Sequence, residues 1–226
     1  MKLGSAWLFN AGARAYSAIN AQAAWRRSCE RLAAHFPAGS SPLVVDLGCG
    51  PGFAALALAQ LWPDARLVAL DLAPLMLREA RRRVEAAGLR SRIRLVLADA
   101  ARLPLPGASV DVVTGHSFLY LVDRPAAVLE ETLRVLRPGG RLVLMEPNDR
   151  PVPLRDILGY SRDPRFLFSV ALWRPYSRRH GRFTAATLGA TLSAAGFDAF
   201  VSEEVLGGLG LVGWAERPAG GDGATE

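Results

Sequence analysis

Between residues 43 and 147 the chain alternates two hydrophobic patterns. Short apolar runs rich in Val and Leu cover Leu43–Leu47, Arg66–Asp71, Ile93–Leu97, Val110–Gly115 and Gly140–Glu146. Unbroken runs of that length, bounded by polar and Gly positions, predict buried strands. Phe53–Leu61, Pro74–Ala87 and Pro125–Leu136 instead place apolar residues at helical spacing and predict helices. Pro74 and Pro125 suit a first helical turn, and Gly88 suits a helix end. Strands alternating with helices imply an α/β fold, a parallel sheet covered on both faces.

The flanks follow other rules. Leu3 to Phe36 reads as one or two helices, stopped by the linker Pro37-Ala38-Gly39-Ser40-Ser41-Pro42. Arg150 to Arg182 breaks the alternation with Pro, Arg and interleaved aromatics, Tyr160, Phe166, Phe168, Trp173 and Tyr176. Thr184–Ala195 predicts a helix closed by Gly196, and Phe197–Val201 and Leu209–Ala215 predict two last strands. Pro218 to Glu226 is Gly-rich and polar and predicts a disordered tail.

Composition narrows the class. The 226 residues are half hydrophobic, enough for one ordinary domain with a small appendage. The two cysteines, Cys29 and Cys49, form no disulfide or metal pattern, so a reducing cytoplasm is expected. Asn10, Gly12 and Arg14 interrupt any apolar core of a signal peptide, and no stretch approaches the roughly 18 apolar residues of a spanning helix. The net charge is +6, and eight arginines against Asp156 and Asp163 between Arg150 and Arg182 account for that excess.

The chemistry starts at Val44-Val45-Asp46-Leu47-Gly48-Cys49-Gly50-Pro51-Gly52. A strand ending in an acid meets glycines at alternate positions, and a helix follows. Glycine permits φ > 0 and lets a ligand approach the backbone, and the helix start offers unpaired N–H groups. The dinucleotide pattern G-x-G-x-x-G is not met, because Phe53 stands where its third glycine belongs. Asp71 ends a second strand 25 residues after Asp46, and Asp99 ends a third. Such acids cap turns or bind ligands. Three successive strands ending in acids place them on one sheet edge, where ligands sit at the topological switch point.

Asp46 to Gly52 resembles motif I of class I S-adenosylmethionine (SAM) methyltransferases. Val68-Ala69-Leu70-Asp71, then Asp99-Ala100 through Leu103-Pro104-Leu105-Pro106 to Ser109-Val110-Asp111, and Leu133 to Leu144 resemble that family's later motifs in order. The resemblance covers Leu43 to Pro147 and implies a Rossmann-like, seven-stranded, mostly parallel sheet with an antiparallel C-terminal hairpin. It implies SAM as cofactor, held by Asp46, Leu47, Gly48, Cys49, Gly50, Gly52, Asp71, Leu72, Asp99, Ala100 and His116. Asp71 would accept the ribose hydroxyls, and Asp99 and Ala100 would border the adenine. Residues 1–42 would be a helical cap, 43–147 the core, 148–183 a substrate lid, 184–217 the last helix and hairpin, and 218–226 a tail.

Methyl transfer needs position and a dry pocket more than a catalytic motif. His116 reads as a hydrogen-bonding or loop-capping residue, and alternatively as a base near its unperturbed pKa. Tyr120 either touches substrate or fills a helical turn. His180 is a lid acid or base, or part of a solvated basic loop. Glu146 ends a strand and is a further candidate, and His35 is expected to meet its helix dipole. Thr114-Gly115-His116-Ser117 stands where the family's Asn/Asp-Pro-Pro-Tyr motif for exocyclic amines would be. With Lys2 the only lysine, no lysine-based ribose-methylating tetrad forms.

The leading expectation is a small-molecule methyltransferase with an apolar or aromatic acceptor at O, N or C. The alternatives are RNA methylation on the run Arg78, Arg81, Arg82, Arg83, Arg90, Arg92 and Arg94, and a SAM-binding protein without turnover. Nucleic acid is the less favoured partner, since the amphipathic helix Pro74–Ala87 needs a polar outer face in any case. The basic lid also suits peripheral contact with anionic membrane. Oligomeric state stays open.

Overall fold

The computed structural model describes residues 13–36 and 42–219. Residues 37–41 of the expected linker Pro37–Pro42, the first twelve residues of the N-terminal region and most of the expected tail lie outside them.

Seven strands form one sheet in the order β3-β2-β1-β4-β5-β7-β6. They are β1 Leu43–Leu47, β2 Arg66–Asp71, β3 Ile93–Leu97, β4 Val110–His116, β5 Leu136–Pro147, β6 Asp198–Val205 and β7 Gly210–Glu216. β1 to β5 pair in parallel, and β7 runs antiparallel between β5 and β6. The eight described helices are α1 Ala13–Asn20, α2 Ala23–Ala33, α3 Phe53–Leu61, α4 Pro74–Ala86, α5 Pro125–Val135, α6 Leu154–Tyr160, α7 Pro164–His180 and α8 Ala185–Ala194.

The central strands carry apolar residues on both faces because both are covered. On one face Val44, Leu67, Val112 and Met145 meet Leu32 of α2 and Leu58 of α3. On the other, Val45, Val68, Val113 and Leu144 meet Leu129 of α5 and Leu188 of α8. The chain passes from β1 outward to β2 and β3, then returns to place β4 on the other side of β1. This puts the switch point between Asp46-Leu47 and its register partners Thr114-Gly115.

Three regions differ from the sequence expectation. Arg150–Arg182, to which the sequence pattern assigned no element, contains the helices α6 and α7. Asp163 caps α7 by accepting the N–H of Arg165 at 2.9 Å, and Pro164 occupies the first turn. Pro175 lies inside α7, where the carbonyl it deprives belongs to exposed Ala171 and can reach water. The strand expected from Gly140 starts at Leu136, which pairs with Val110 ahead of a register shift. β6 extends past Val201 through Ser202-Glu203-Glu204. It is an edge strand, and its exposed polar positions hide it from a hydrophobic pattern.

His35 differs too. It lies beyond the end of α2, with Nε2 3.0 Å from Glu203 Oε1 and its ring stacked on Trp214 at 4.0 Å. Its partners come from β6 and β7 rather than from its own helix. Arg31 binds the same carboxylate, so one acid ties α2 to the sheet edge.

Candidate active site

The acids at the strand ends converge as expected at the C-terminal edge of the sheet. Asp71 is 8 % exposed; its Oδ2 accepts the N–H of Gly50 at 2.9 Å and its Oδ1 that of Ala73 at 2.8 Å. Burial pushes its carboxyl up, opposed by those N–H groups. Asp46 is fully enclosed, with Oδ1 accepting the Thr114 hydroxyl at 3.2 Å and Oδ2 without a hydrogen-bond partner among the described residues. Burial raises it from 3.8 to about 7. A buried carboxylate oxygen left open asks for a donor.

The glycine turn has three positive φ angles, +61° at Gly48, +52° at Gly50 and +85° at Gly52. A Cβ on Gly48 would stand 2.4 Å from the Phe118 ring, and one on Gly52 3.1 Å from Ala80 of α4. At Gly50 a Cβ would meet only the Gly48 carbonyl, at 4.0 Å, and would otherwise project into open space. That space is part of a two-lobed cavity.

The narrower lobe, about 210 Å³, is walled by Gly50, Asp71, Leu72, Met76, Asp99, Ala100 and Val128. The wider, about 400 Å³, is walled by Asp46, Cys49, Trp25, Phe53, Leu172, Trp173 and Tyr176. Gly48, Gly50, His116, Ser117, Leu121 and Tyr16 line both, so the lobes meet over the glycine turn and the end of β4.

His116 stands at that junction. The Ser28 hydroxyl donates to the Trp25 carbonyl at 2.7 Å and lies 2.8 Å from His116 Nε2. With the Ser28 proton engaged, Nε2 must donate to Ser28, so the ring is the Nε2–H tautomer and Nδ1 keeps its lone pair. Desolvation draws His116 from 6.5 down to about 4, so the ring is neutral at pH 7.

The other candidates separate. Leu47 and Gly52 shape the turn from below and do not line either lobe. Tyr120 lies in the 3-10 turn Leu119–Leu121 and lines the wider lobe, its hydroxyl 3.4 Å from Ser117 Oγ and pushed far up by burial. Glu146 does not face the cavity; it is fully buried and accepts the N–H groups of Phe118, Leu119 and Tyr120. His180 closes α7 with its ring 4.3 Å from that of Tyr176, outside both linings.

Aromatics of the expected lid complete the walls, with hydrogen-bond partners that no reading of the sequence assigned to the site. Trp25 Nε1 donates to Ser169 Oγ at 2.8 Å, Gln22 Nε2 to the same oxygen at 3.2 Å, and the Tyr160 hydroxyl to the Ala24 carbonyl at 3.3 Å. These bonds join α2 to α6 and α7 above the sheet edge. Trp173 lies edge-on to Trp25 at 5.0 Å and donates to Ser117 Oγ at 3.1 Å. Ser28 was legible only as a small polar residue in an Arg-rich helix, and Thr114 as one in an apolar run, which signals no role without the fold.

Comparison with known proteins agrees with this geometry. Residues 44–140 match the family described as Methyltransferase domain. The malonyl-[acyl-carrier protein] O-methyltransferase of Enterobacter lignolyticus is 32% identical over 192 residues, 82% of this chain and 71% of that protein. The demethylmenaquinone methyltransferase of Thermus thermophilus is 42% identical over 123 residues, 54% of this chain and 53% of that one. The chain thus spans about half the length of several curated relatives it matches. A SAM-dependent methyltransferase structure from Aquifex aeolicus shares the fold, with a TM-score of 0.66 at 20% identity over 84% of this chain and 89% of that one. The chain belongs to the class I SAM-dependent methyltransferases.

Proposed function

We propose that the protein methylates a small, uncharged, apolar or aromatic acceptor, with SAM as methyl donor. The observation that carries this reading is the pair of unlike lobes meeting at Gly48, Gly50, His116 and Ser117. The orphaned Asp46 oxygen and the open space at Gly50 fit an ammonium and a backbone-hugging chain, as the cofactor's methionine moiety requires. Asp71 has lone pairs left for ribose hydroxyls, and Leu72, Asp99 and Ala100 would flank the adenine. When bound, SAM supplies an electrophilic methyl group on a sulfonium.

The protein's part is then positional. Residues of 1–42 and 148–183 act together as a cap: Trp25, Trp173, Tyr176 and Leu172 hold the acceptor against the junction and exclude water. Trp25 donates to Ser169, Ser169 to the Phe166 carbonyl and Trp173 to Ser117, so these polar atoms are already engaged and the wider lobe presents mainly apolar surface. No arginine or lysine among the described residues lines it, whereas a carboxylate acceptor would call for one. His116 Nδ1 can accept a hydrogen bond from an acceptor hydroxyl and orient it; with its basicity drawn down to about 4 by burial, the ring is a weak base at neutral pH, against the expectation of a base near its unperturbed pKa. Tyr120 serves as a hydrogen-bonding wall.

Part of the arginine run behind the RNA reading is engaged within the fold. Arg92 donates to the carbonyls of Ala59, Trp62 and Ala65, Arg82 binds Glu79, and Arg83 covers the Phe53 ring at 4.5 Å. Radiolabelled methyl transfer to a panel of neutral phenols and quinols, carboxylic acids and RNA separates the readings. Transfer confined to the neutral aromatic set is expected. Transfer only to carboxylates or RNA refutes the acceptor class, and SAM binding without transfer to any of them favours the non-catalytic alternative.

A further inference from the structure

The outward face of α7 carries an apolar stripe between basic ends. Phe168 and Leu172, one turn apart, are 54 % and 53 % exposed, with Ala171 and Pro175 exposed beside them. Arg162 precedes the helix and Arg178 and Arg179 finish it; all three are exposed, without an acidic partner among the described residues. The acids of this segment, Asp156 and Asp163, already face Arg155 and Arg165. The stripe adjoins the mouth of the wider lobe, because Leu172 is both exposed and part of its wall, as is Tyr16 of α1.

We propose that α7 seats this protein on an anionic lipid surface. An interfacial helix buries apolar side chains at the level of the headgroups while basic residues meet lipid phosphates. Phe168 and Leu172 supply the first part, and the arginines, able to extend toward the headgroups, supply the second. A second copy is a poorer occupant. A two-fold contact along α7 would bring its basic ends together or leave the stripe half covered. Seated on a bilayer, the chain would turn the mouth between Leu172 and Tyr16 toward the lipid, from which an apolar acceptor could enter without crossing water.

The test is sedimentation of the full-length protein with vesicles of phosphatidylcholine alone or mixed with phosphatidylglycerol, at low and high salt. Phe168→Ser and the pair Arg178→Glu/Arg179→Glu are compared, with thermal unfolding as a check that each remains folded. Neither change touches the cavity walls. Binding to the anionic vesicles, weakened by salt and reduced about tenfold or more by each variant, is expected. The proposal is overturned by absent binding, or by binding that both variants retain. It is also overturned by a dimer that Phe168→Ser dissociates. Salt-sensitive binding to single-stranded RNA, lost in the arginine variant but not in Phe168→Ser, would assign the surface to nucleic acid instead.

Discussion

The carboxylate of Asp71, at the end of β2, accepts the backbone N–H of Gly50, in the turn after β1, at 2.9 Å. One acid therefore fixes the glycine turn and faces the narrower lobe. Replacing it by Asn keeps the shape and removes the charge. A charge-assisted bond is worth about 1.5–3 kcal/mol, so SAM affinity should fall about 10- to 100-fold in Asp71→Asn by calorimetry.

Gly48 should not tolerate alanine. Its Cβ would sit 2.4 Å from Phe118, and the backbone is left-handed at φ +61°. Gly48→Ala is expected to cost about 1–3 kcal/mol in urea unfolding and to weaken SAM binding together with stability. Gly50→Ala meets no clash but takes on the same left-handed strain at φ +52°, so it should cost about 1 kcal/mol of stability and weaken SAM binding as its Cβ projects into the cavity.

Glu146 holds the 3-10 turn through three N–H bonds, to Phe118, Leu119 and Tyr120. Glu146→Ala leaves three buried donors and should cost about 3–5 kcal/mol; Glu146→Gln keeps part of the acceptor capacity and should cost less. Burial raises the Glu146 carboxyl from 4.5 to about 7. The folded state therefore holds this proton more tightly, and the stability this contributes is lost as pH rises from about 4.5 to about 7. Glu146→Gln should remove that slope from a pH series of unfolding midpoints.

His116 titrates in the opposite sense. Its folded value of about 4 lies below the ordinary 6.5, so its contribution is present above pH 6.5 and lost as pH falls toward 4. His116→Asn should become more stable relative to the parent over that window. Equal acid sensitivity of the two proteins would mean that the ring is hydrated rather than walled in.

Asp46, raised to about 7, should lose its proton when a cationic ammonium binds. SAM affinity should therefore rise with pH up to about 7 and then level off. The binding enthalpy at pH 6.5 should change between buffers of different ionisation heat, and in Asp46→Asn that buffer dependence should vanish.

The core of the fold was legible because its signals are local. Val44–Leu47 and Val110–Gly115 are apolar runs that match their strands, and the glycines after Asp46 announce a turn that only φ > 0 permits. The acids Asp71 and Asp99 could be placed on one edge because parallel strands align their ends. The cap was less legible. Phe166 and Trp173 advertise burial, but Trp25, whose ring meets both, lies on another helix far away in sequence. Nothing local in Ser28 foretells a bond to His116 across 88 positions. Glu146 looked like a pocket acid because strand-end acids usually face ligands; here three backbone donors claim it.

Calorimetric titration of the protein with SAM, alongside Asp71→Asn, tests the central claim most directly. The site described here requires saturable binding by the parent protein and a loss of about 10-fold or more in the variant, whose fold is intact by thermal unfolding. Absent binding to the folded parent protein, or equal binding by both, would contradict the assignment of the narrower lobe to the cofactor.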